Sequence, residues 1–512
     1  MNSHRTAAEM PSSLLIYSTS CVVAWMRCQN NDASRRFASR EGLCPELGEV
    51  EKCHDGIFQR TTRPRPTAQA LSVCQLFALV VACCATCGCT TYEQRLMAVR
   101  DQFYSGNLEV ARQTIDKERK RYKKEADVLL LEKSIIELAD GHPKQAEQLL
   151  RQTRDSFDHL EQFSAAEVAT SMLSDDNAKS YAGEDYEKVL IRAMLALSNL
   201  MGDGGDAGAY ALQVTDKQQQ IIDAGADKKG DNPKLAYQHV AVGAYVQGML
   251  REATHSNYDD AARASAMVCS WQPDFPFAQQ DLERANHGRH SAPGNGVLYV
   301  FTLVGHGPYK AEKVEMPSTA ALAIAGAVLS ATSKYGLPPN IAPVKVPIVV
   351  VPASQVDEVR VAVDQKEAGA TATITDVGQM AVQQYEAIYP RVLARAVVRR
   401  VVKNGLIYGA EEVAGQERGS PLNLGLEVLG LVWMVSEAAD TRCWGLLPGR
   451  IQVLRIELPA GDHQVTLQPA SHGGPAGAQE HQLVSIANGR NTYLLANFPD
   501  SRLVGKILTS QP

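Results

Sequence analysis

The chain has 512 residues, enough for two or three domains that each bury a core of their own. With 45% hydrophobic and 21% charged residues it has the composition of a soluble globular protein, not of a disordered or multiply membrane-spanning one. A net charge of −6 argues against a dedicated nucleic-acid binder, which shows a basic excess.

Taken in chain order, the first feature is the placement of the eleven cysteines. Nine fall before residue 90, at 21, 28, 44, 53, 74, 83, 84, 87 and 89, and only Cys269 and Cys443 follow. Cys84-Ala-Thr-Cys87 has the spacing of a metal or redox pair. A zinc site there would need two further ligands, and a redox motif would need a strand–helix context. The pair instead closes an apolar run, Leu71 to Ala85, preceded by Arg63 and Arg65 and followed by Thr86-Cys87-Gly88-Cys89. Basic start, apolar middle and small-residue end are the three parts of an export signal. The run is too short for a spanning helix, which needs about 20 apolar residues.

The last four of these residues resemble the lipobox of bacterial lipoproteins, in which Cys89 would be lipidated, with Thr86 in place of the usual Leu. That implies a signal at 63–89 and a mature protein held by Cys89 at the periplasmic face of the envelope, with the outer membrane favoured. Residues 1–62 then read as a disordered extension or as sequence upstream of the true start. A rival signal at Leu14–Trp25 is broken by Ser18, Thr19 and Ser20.

From 92 to about 285 the pattern is helix after helix, with an internal repeat. Tyr104-Ser-Gly106-Asn-Leu108-Glu-Val-Ala111 recurs as Ala139-Asp-Gly141-His-Pro143-Lys-Gln-Ala146, so that glycine and alanine both return after about 35 residues. The tetratricopeptide period is about 34 residues. In such a unit glycine ends one helix in a left-handed turn, and alanine lets the next helix approach closely. Asn257-Tyr258-Asp-Asp-Ala261 with Pro273 suggests a further unit, and Gly202–Gly208 a degenerate one. Plain antiparallel helices would give a similar period. The glycines at 202–208 follow a helix and lack a Gly-Lys-Ser/Thr ending, so a phosphate loop is not expected.

Asp175-Asp-Asn, Tyr181-Ala-Gly183-Glu184-Asp185-Tyr186-Glu187, Val304-Gly305-His306-Gly307-Pro308 and Leu447-Pro-Gly-Arg450 together resemble an uncharacterised bacterial lipoprotein family. Its members combine a lipobox, tetratricopeptide-like helices and a C-terminal α+β domain, and the resemblance spans most of 89–510. It implies an architecture and an address but no reaction.

Within it, Glu184, Asp185, Tyr186 and Glu187 read as a helix start, where carboxylates complement the dipole, as a ligand- or partner-contact surface, or as an acid/base pair, the helix start being preferred. Residues 286–296 form a turn-rich linker. Beyond it strands are expected at 297–304, 343–352, 359–363, 451–458, 463–467, 481–487 and 492–497. Helices are expected at 320–333, 379–403 and 422–439, and Gly461-Asp462 reads as a hairpin turn. The basic face of the middle helix, Arg391, Arg395, Arg399, Arg400 and Lys403, reads as solvated or as a contact for anionic lipid or polymer.

The expected fold is an α-helical, tetratricopeptide-like solenoid over 92–285 plus a mixed α+β domain over 297–510 with a largely antiparallel sheet. His306 between two glycines is a candidate ligand contact, and Cys269 and Cys443 are expected as buried thiols. No catalytic motif, metal set or cofactor fingerprint is present. The preferred function is a lipid-anchored scaffold or adaptor for envelope proteins, bound to the membrane by its anchor and to no nucleic acid. The alternative is a ligand-binding protein or enzyme with a site in the C-terminal domain.

Overall fold

The structure is a computed structural model that describes residues 91–164, 179–226, 230–332, 336–338, 342–413 and 438–510. All of them belong to one compact unit, Ala85–Pro512. Cys89 and the signal region lie outside the described residues. The fold is mixed, with eleven α-helices and three sheets among those residues.

Nine helices come first: α1 (Tyr92–Tyr104), α2 (Leu108–Arg121), α3 (Ala126–Ala139), α4 (Pro143–Ser164), α5 (Asp185–Met201), α6 (Ala207–Asp223), α7 (Ala241–Glu252), α8 (Tyr258–Trp271) and α9 (Ala278–Asn286). Each packs mainly on its chain neighbours. Their ends follow from local chemistry. Thr91 and Gln94 cap α1 reciprocally, each side chain accepting the other's backbone N–H. Gly106 and Gly141 sit in the left-handed region at φ +82° and +91°. Beyond them, Asn107 and His142 donate to the carbonyls of Gln102 and Glu137 five residues back, which satisfies the open ends of α1 and α3. The corresponding turn after α7 uses His255 at φ 56°, held by its Nε2 against the Gly489 carbonyl at 2.7 Å.

Burial separates the helices into two kinds. On α2 only Leu108, Ala111 and Ile115 are buried, and on α8 only Ala261, Ala264 and Val268. On α5 every residue after Asp185 is buried. A helix covered on one side needs one apolar stripe, whereas one covered on both sides must be buried all round. What covers the second side of α5 is the C-terminal half of the chain.

That half holds β1 (Asn295–His306), β2 (Tyr309–Glu315), α10 (Thr319–Thr332), β3 (Val344–Val350), β4 (Glu358–Val363), β5 (Lys366–Ala370) and β6 (Ala372–Asp376). It continues with α11 (Val377–Val413), β7 (Pro448–Pro459), β8 (Gly461–Ser471), β9 (Gly474–Pro475), β10 (Glu480–Ile486), β11 (Asn491–Phe498) and β12 (Leu508–Thr509). One sheet has the order β12-β11-β1-β7-β6, a second β10-β8-β4-β5 with β9 on β8, and β2 pairs with β3 alone. Among the described residues only β1 and β11 run parallel; the other pairs are antiparallel.

The central strand β1 is buried from Gly296's neighbour Val297 through Val304 because both its faces are covered. Val297, Tyr299, Phe301 and Leu303 join the core that runs continuously into the helices. Leu298, Val300 and Val304 face the second sheet and pack with Val359, Val361, Val465, Leu467 and Val484. The period of two thus feeds two different cores from one strand. A third, small-residue core joins α10, β3 and α11 through Ala321, Ala325, Val346, Ala394 and Val397.

One expectation is corrected. Gly461-Asp462 is not a hairpin turn: β7 and β8 lie in different sheets, and the chain changes sheet at Ala460, with Gly461 at φ +143°. The hairpin is instead β4–β5, turning on Asp364 and Gln365, both in the left-handed region. The helix expected over 422–439 falls outside the described residues except for its end, where Ala438 and Ala439 are irregular backbone leading to β7.

Candidate functional site

The covered side of the helices holds an irregular segment, 438–447, that threads between the helices and the sheets. Two buried carboxylates grip its backbone. Glu132 of α3 accepts the N–H groups of Gly445 and Leu446, both at 2.8 Å, and the Tyr92 hydroxyl at 3.4 Å. Glu187 of α5 accepts the Trp444 N–H at 2.6 Å, the Tyr181 hydroxyl at 2.7 Å and the Tyr186 hydroxyl at 3.3 Å. It also accepts the Glu184 N–H at 3.0 Å, completing the cap of α5.

A Cβ on Gly445 would meet the Arg100 guanidinium, so a side chain there requires Arg100 to shift. Both carboxyls titrate above their ordinary range. Burial is the larger cause, and for Glu187, pushed up to about 7, the nearby Glu184 adds to it. The donors around Glu187 favour its charged form but do not outweigh desolvation. Cys443 beside them is buried, which pushes its thiol up to about 12 and leaves it protonated and inert.

Next to this clamp lies a cavity of about 470 Å³. One wall is the start of α5 with Tyr181 to Asp185. The opposite wall is α11, through Tyr385, Ile388, Arg391, Val392, Arg395 and Arg399, and Lys310 of β2, Asp440 and Arg442 complete it. Three acids in the lining are each held by a base. Lys310 Nζ bonds Glu184, Lys234 Nζ lies 2.7 Å from Asp185, and Arg442 forks onto Asp440 at 2.7 and 2.8 Å. Burial opposes the charge on Lys310, but Glu184 and Asp440 outweigh it and hold the ammonium charged. Asp440 is held below the ordinary carboxylate range, with burial opposing and Arg442 and Lys310 prevailing.

The residues singled out in the sequence are distributed as follows. Glu184, Asp185 and Tyr186 do form a helix start, as the cap geometry of α5 shows, and Glu184 and Asp185 also line the cavity. Tyr186 points inward to Glu187 and borders a narrow recess off the same cavity. The basic face of α11 is brought against them from two hundred residues away. His306 is elsewhere: its ring stacks on Tyr104 at 3.7 Å and 6°, and its Nε2 lies 3.1 Å from Asp500, so it joins α1 to the segment after β11. Cys443 is a buried free thiol, whereas Cys269 is partly exposed.

Sequence reasoning passed over Lys310, Lys234, Arg442 and Glu132, and placed Glu187 in the exposed helix start with Glu184 where the structure buries it. The only available signal was a carboxylate inside an apolar helical run, as in Leu129-Leu-Leu-Glu132, which forces a buried acid with partners.

A second, open cleft of about 620 Å³ crosses α4, α5 and α6. Its floor is an ion-pair network in which Asp158 takes Arg192 at 2.6 Å and Lys217 at 2.9 Å. Burial opposes the charge on Asp158, but Arg192 and Lys217 hold its pKa low. Among the described residues no group of His, Cys, Asp and Glu is placed to hold a metal, and no helix is long and apolar enough to cross a membrane.

With this geometry in hand, comparison with known proteins adds no assignment: no family model, no curated protein and no solved structure matches the chain.

Proposed function

We propose that the chain is a lipoprotein of the bacterial envelope, tethered through Cys89, in which tetratricopeptide-like helical repeats serve as a scaffold for an envelope protein. The observation that carries the binding role is the clamp on 443–447. There the helices hold an irregular stretch of backbone through side chains of α3 and α5, the way a helical array holds a peptide.

The repeat reading draws support from Gly106 and Gly141, which end α1 and α3 in the same left-handed turn 35 residues apart. Because the inner side of the helices is filled by the sheet, the surface left for a partner is the open cleft across α4–α6. Its lining of Arg154, Asp158, Arg192, Gln213 and Lys217 suits a polar, charged partner segment rather than an apolar helix.

A photo-reactive residue at Gln213, in intact cells, is expected to capture one envelope protein, and Lys217→Glu is expected to remove that product. Failure to capture anything specific across growth conditions refutes the scaffold role. The tether is tested separately by the N-terminal mass of protein extracted from membranes. A diacylated or triacylated Cys89 is expected, and an unmodified terminus near Met1 refutes it.

A further inference from the structure

We propose that the basic corner formed by the end of α2 and the turn after it rests on the anionic phospholipid headgroups of the membrane that holds Cys89. This contact rests on the tethered reading, and adds to it which end of the molecule meets the lipid.

The first observation is charge. Residues 117–124, Lys-Glu-Arg-Lys-Arg-Tyr-Lys-Lys, hold six cations and one acid in a chain whose net charge is −6. Lys117, Lys120, Arg121, Lys123 and Lys124 are all exposed, and none of the five takes part in an ion pair. Arg121 lies over the Tyr122 ring at 5.2 Å, a contact that keeps its charge.

The flanking acids are used elsewhere: Asp116 bonds Lys133 at 2.9 Å, and Glu125 bonds Arg95 at 2.6 Å. The stretch 165–178 leads to Tyr181, whose N–H donates to the Lys124 carbonyl, and it brings Glu167, Asp175 and Asp176. With these acids counted, and Lys179 beside them, seven cations still stand against four acids. Cations in the last turn complement the dipole of α2, which accounts for Arg119, Lys120 and Arg121. Lys117 precedes that turn, and Lys123 and Lys124 lie beyond the helix end, so the dipole leaves them unexplained.

The second observation is position. Arg95, one turn into α1, donates to both oxygens of Glu125 at 2.6 and 2.7 Å and lies over the Tyr122 ring at 3.7 Å. The end of α2 is thereby fixed beside the start of α1. Thr91 caps that start, its carbonyl accepting the Arg95 N–H at 3.2 Å. Cys89 stands two residues before Thr91, a reach of at most about 7 Å. The tether and the cations therefore share one end of the molecule.

Charge and position together select the occupant. A lipid on Cys89 keeps the corner at the bilayer, so the second contact is made within one complex and even a weak attraction counts. Lysine and arginine near an anionic lipid surface are each drawn to it, within about 8–10 Å at ordinary salt. Residues 117–124 include none of the exposed large hydrophobic side chains, so the contact is electrostatic and lies on the headgroups.

The test is sedimentation of the full chain carrying Cys89→Ser with phosphatidylcholine vesicles, with and without phosphatidylglycerol. Binding to phosphatidylcholine alone measures what the apolar run 71–85 contributes, and the excess on phosphatidylglycerol measures charge. That excess is expected to fall with added salt. Lys120→Gln/Lys124→Gln is expected to lower it about tenfold, while Lys366→Gln/Arg502→Gln, an equal change in charge at other exposed positions, leaves it nearly unchanged. Equal losses in the two pairs mean that net charge alone governs binding, and overturn the corner.

A second measurement needs no variant and decides alone if Lys120→Gln/Lys124→Gln lowers the melting temperature. Amine acetylation, read by mass spectrometry on protein extracted from membranes and placed in the same vesicles, is expected to slow at Lys120, Lys123 and Lys124 when phosphatidylglycerol is present, and not at Lys366. No slowing, or equal slowing at Lys366, overturns the contact. The tether is separable from it. An unmodified N-terminus together with a corner-dependent excess overturns the tether and supports the headgroup contact, whereas a lipidated Cys89 without that excess overturns the contact alone.

Discussion

Replacing Glu132 by Ala tests the claim that the helices and the sheets are joined through segment 443–447. Glu132 is fully buried on α3 and is the acceptor for two backbone N–H groups at 2.8 Å, those of Gly445 and Leu446. Alanine leaves both donors without a partner in a place water does not reach, at about 1–3 kcal/mol each. It also removes a carboxylate whose field reaches the buried Arg100 guanidinium, though the ion-pair partner of Arg100 is Glu93 at 4.0 Å. The two lost hydrogen bonds set the scale, so the expected loss is about 2–6 kcal/mol.

Urea unfolding gives the total. Amide hydrogen exchange on the peptide containing 443–447 locates it, because the two freed N–H groups should lose protection before the sheet does. Glu132→Gln keeps one acceptor oxygen and is expected to cost less than Glu132→Ala. Pairing Glu132→Ala with Arg100→Met should recover part of the loss, a non-additivity that unrelated sites do not show. A loss below about 1 kcal/mol with unchanged exchange at 443–447 would refute the clamp.

Glu187 gives a pH dependence. Its carboxyl is raised from an ordinary 4.5 to about 7, first by burial and then by Glu184, so between those values the folded state holds a proton that the unfolded state has released. The stability from this group is therefore complete below about pH 4.5 and is lost as pH rises through about 7. Glu187→Gln should flatten that part of the stability–pH curve, as read by urea midpoints; a slope equal to wild type would contradict the assignment.

Gly183 precedes α5 at φ +79°, and a Cβ there would press into the ring of Phe157. Gly183→Ala is expected to cost about 2–4 kcal/mol from the left-handed backbone and overpacking together. A melting temperature within a degree of wild type would show that Phe157 can move aside.

Much of the secondary structure was legible in the sequence, for identifiable reasons. The turns at Gly106 and Gly141 are local, because only a residue without a Cβ takes φ near +90° cheaply. Strands β1, β7 and β11 appeared as apolar runs between polar stops. Glu184 and Asp185 were readable as a helix start because capping involves residues only three apart. The hairpin at Asp364-Gln365 was missed because it lacks the glycine that usually marks two consecutive left-handed residues. The opposite error at Gly461 has the same root. A glycine between strands announces a sharp bend, and whether the strands then pair or separate into two sheets depends on what else they can bury against.

The sequence by itself therefore determined the run of helices in the first half, the main strands β1, β7, β8, β10 and β11 of the second, and that α11 carries a basic face. Only the tertiary structure decided that this face meets the start of α5 across a cavity. It also decided that Glu132 and Glu187 hold backbone from more than 250 residues away. The physical reason is range: capping, turn and periodicity effects act within a few residues. Buried charge is arranged by long-range packing, which a one-dimensional pattern does not encode.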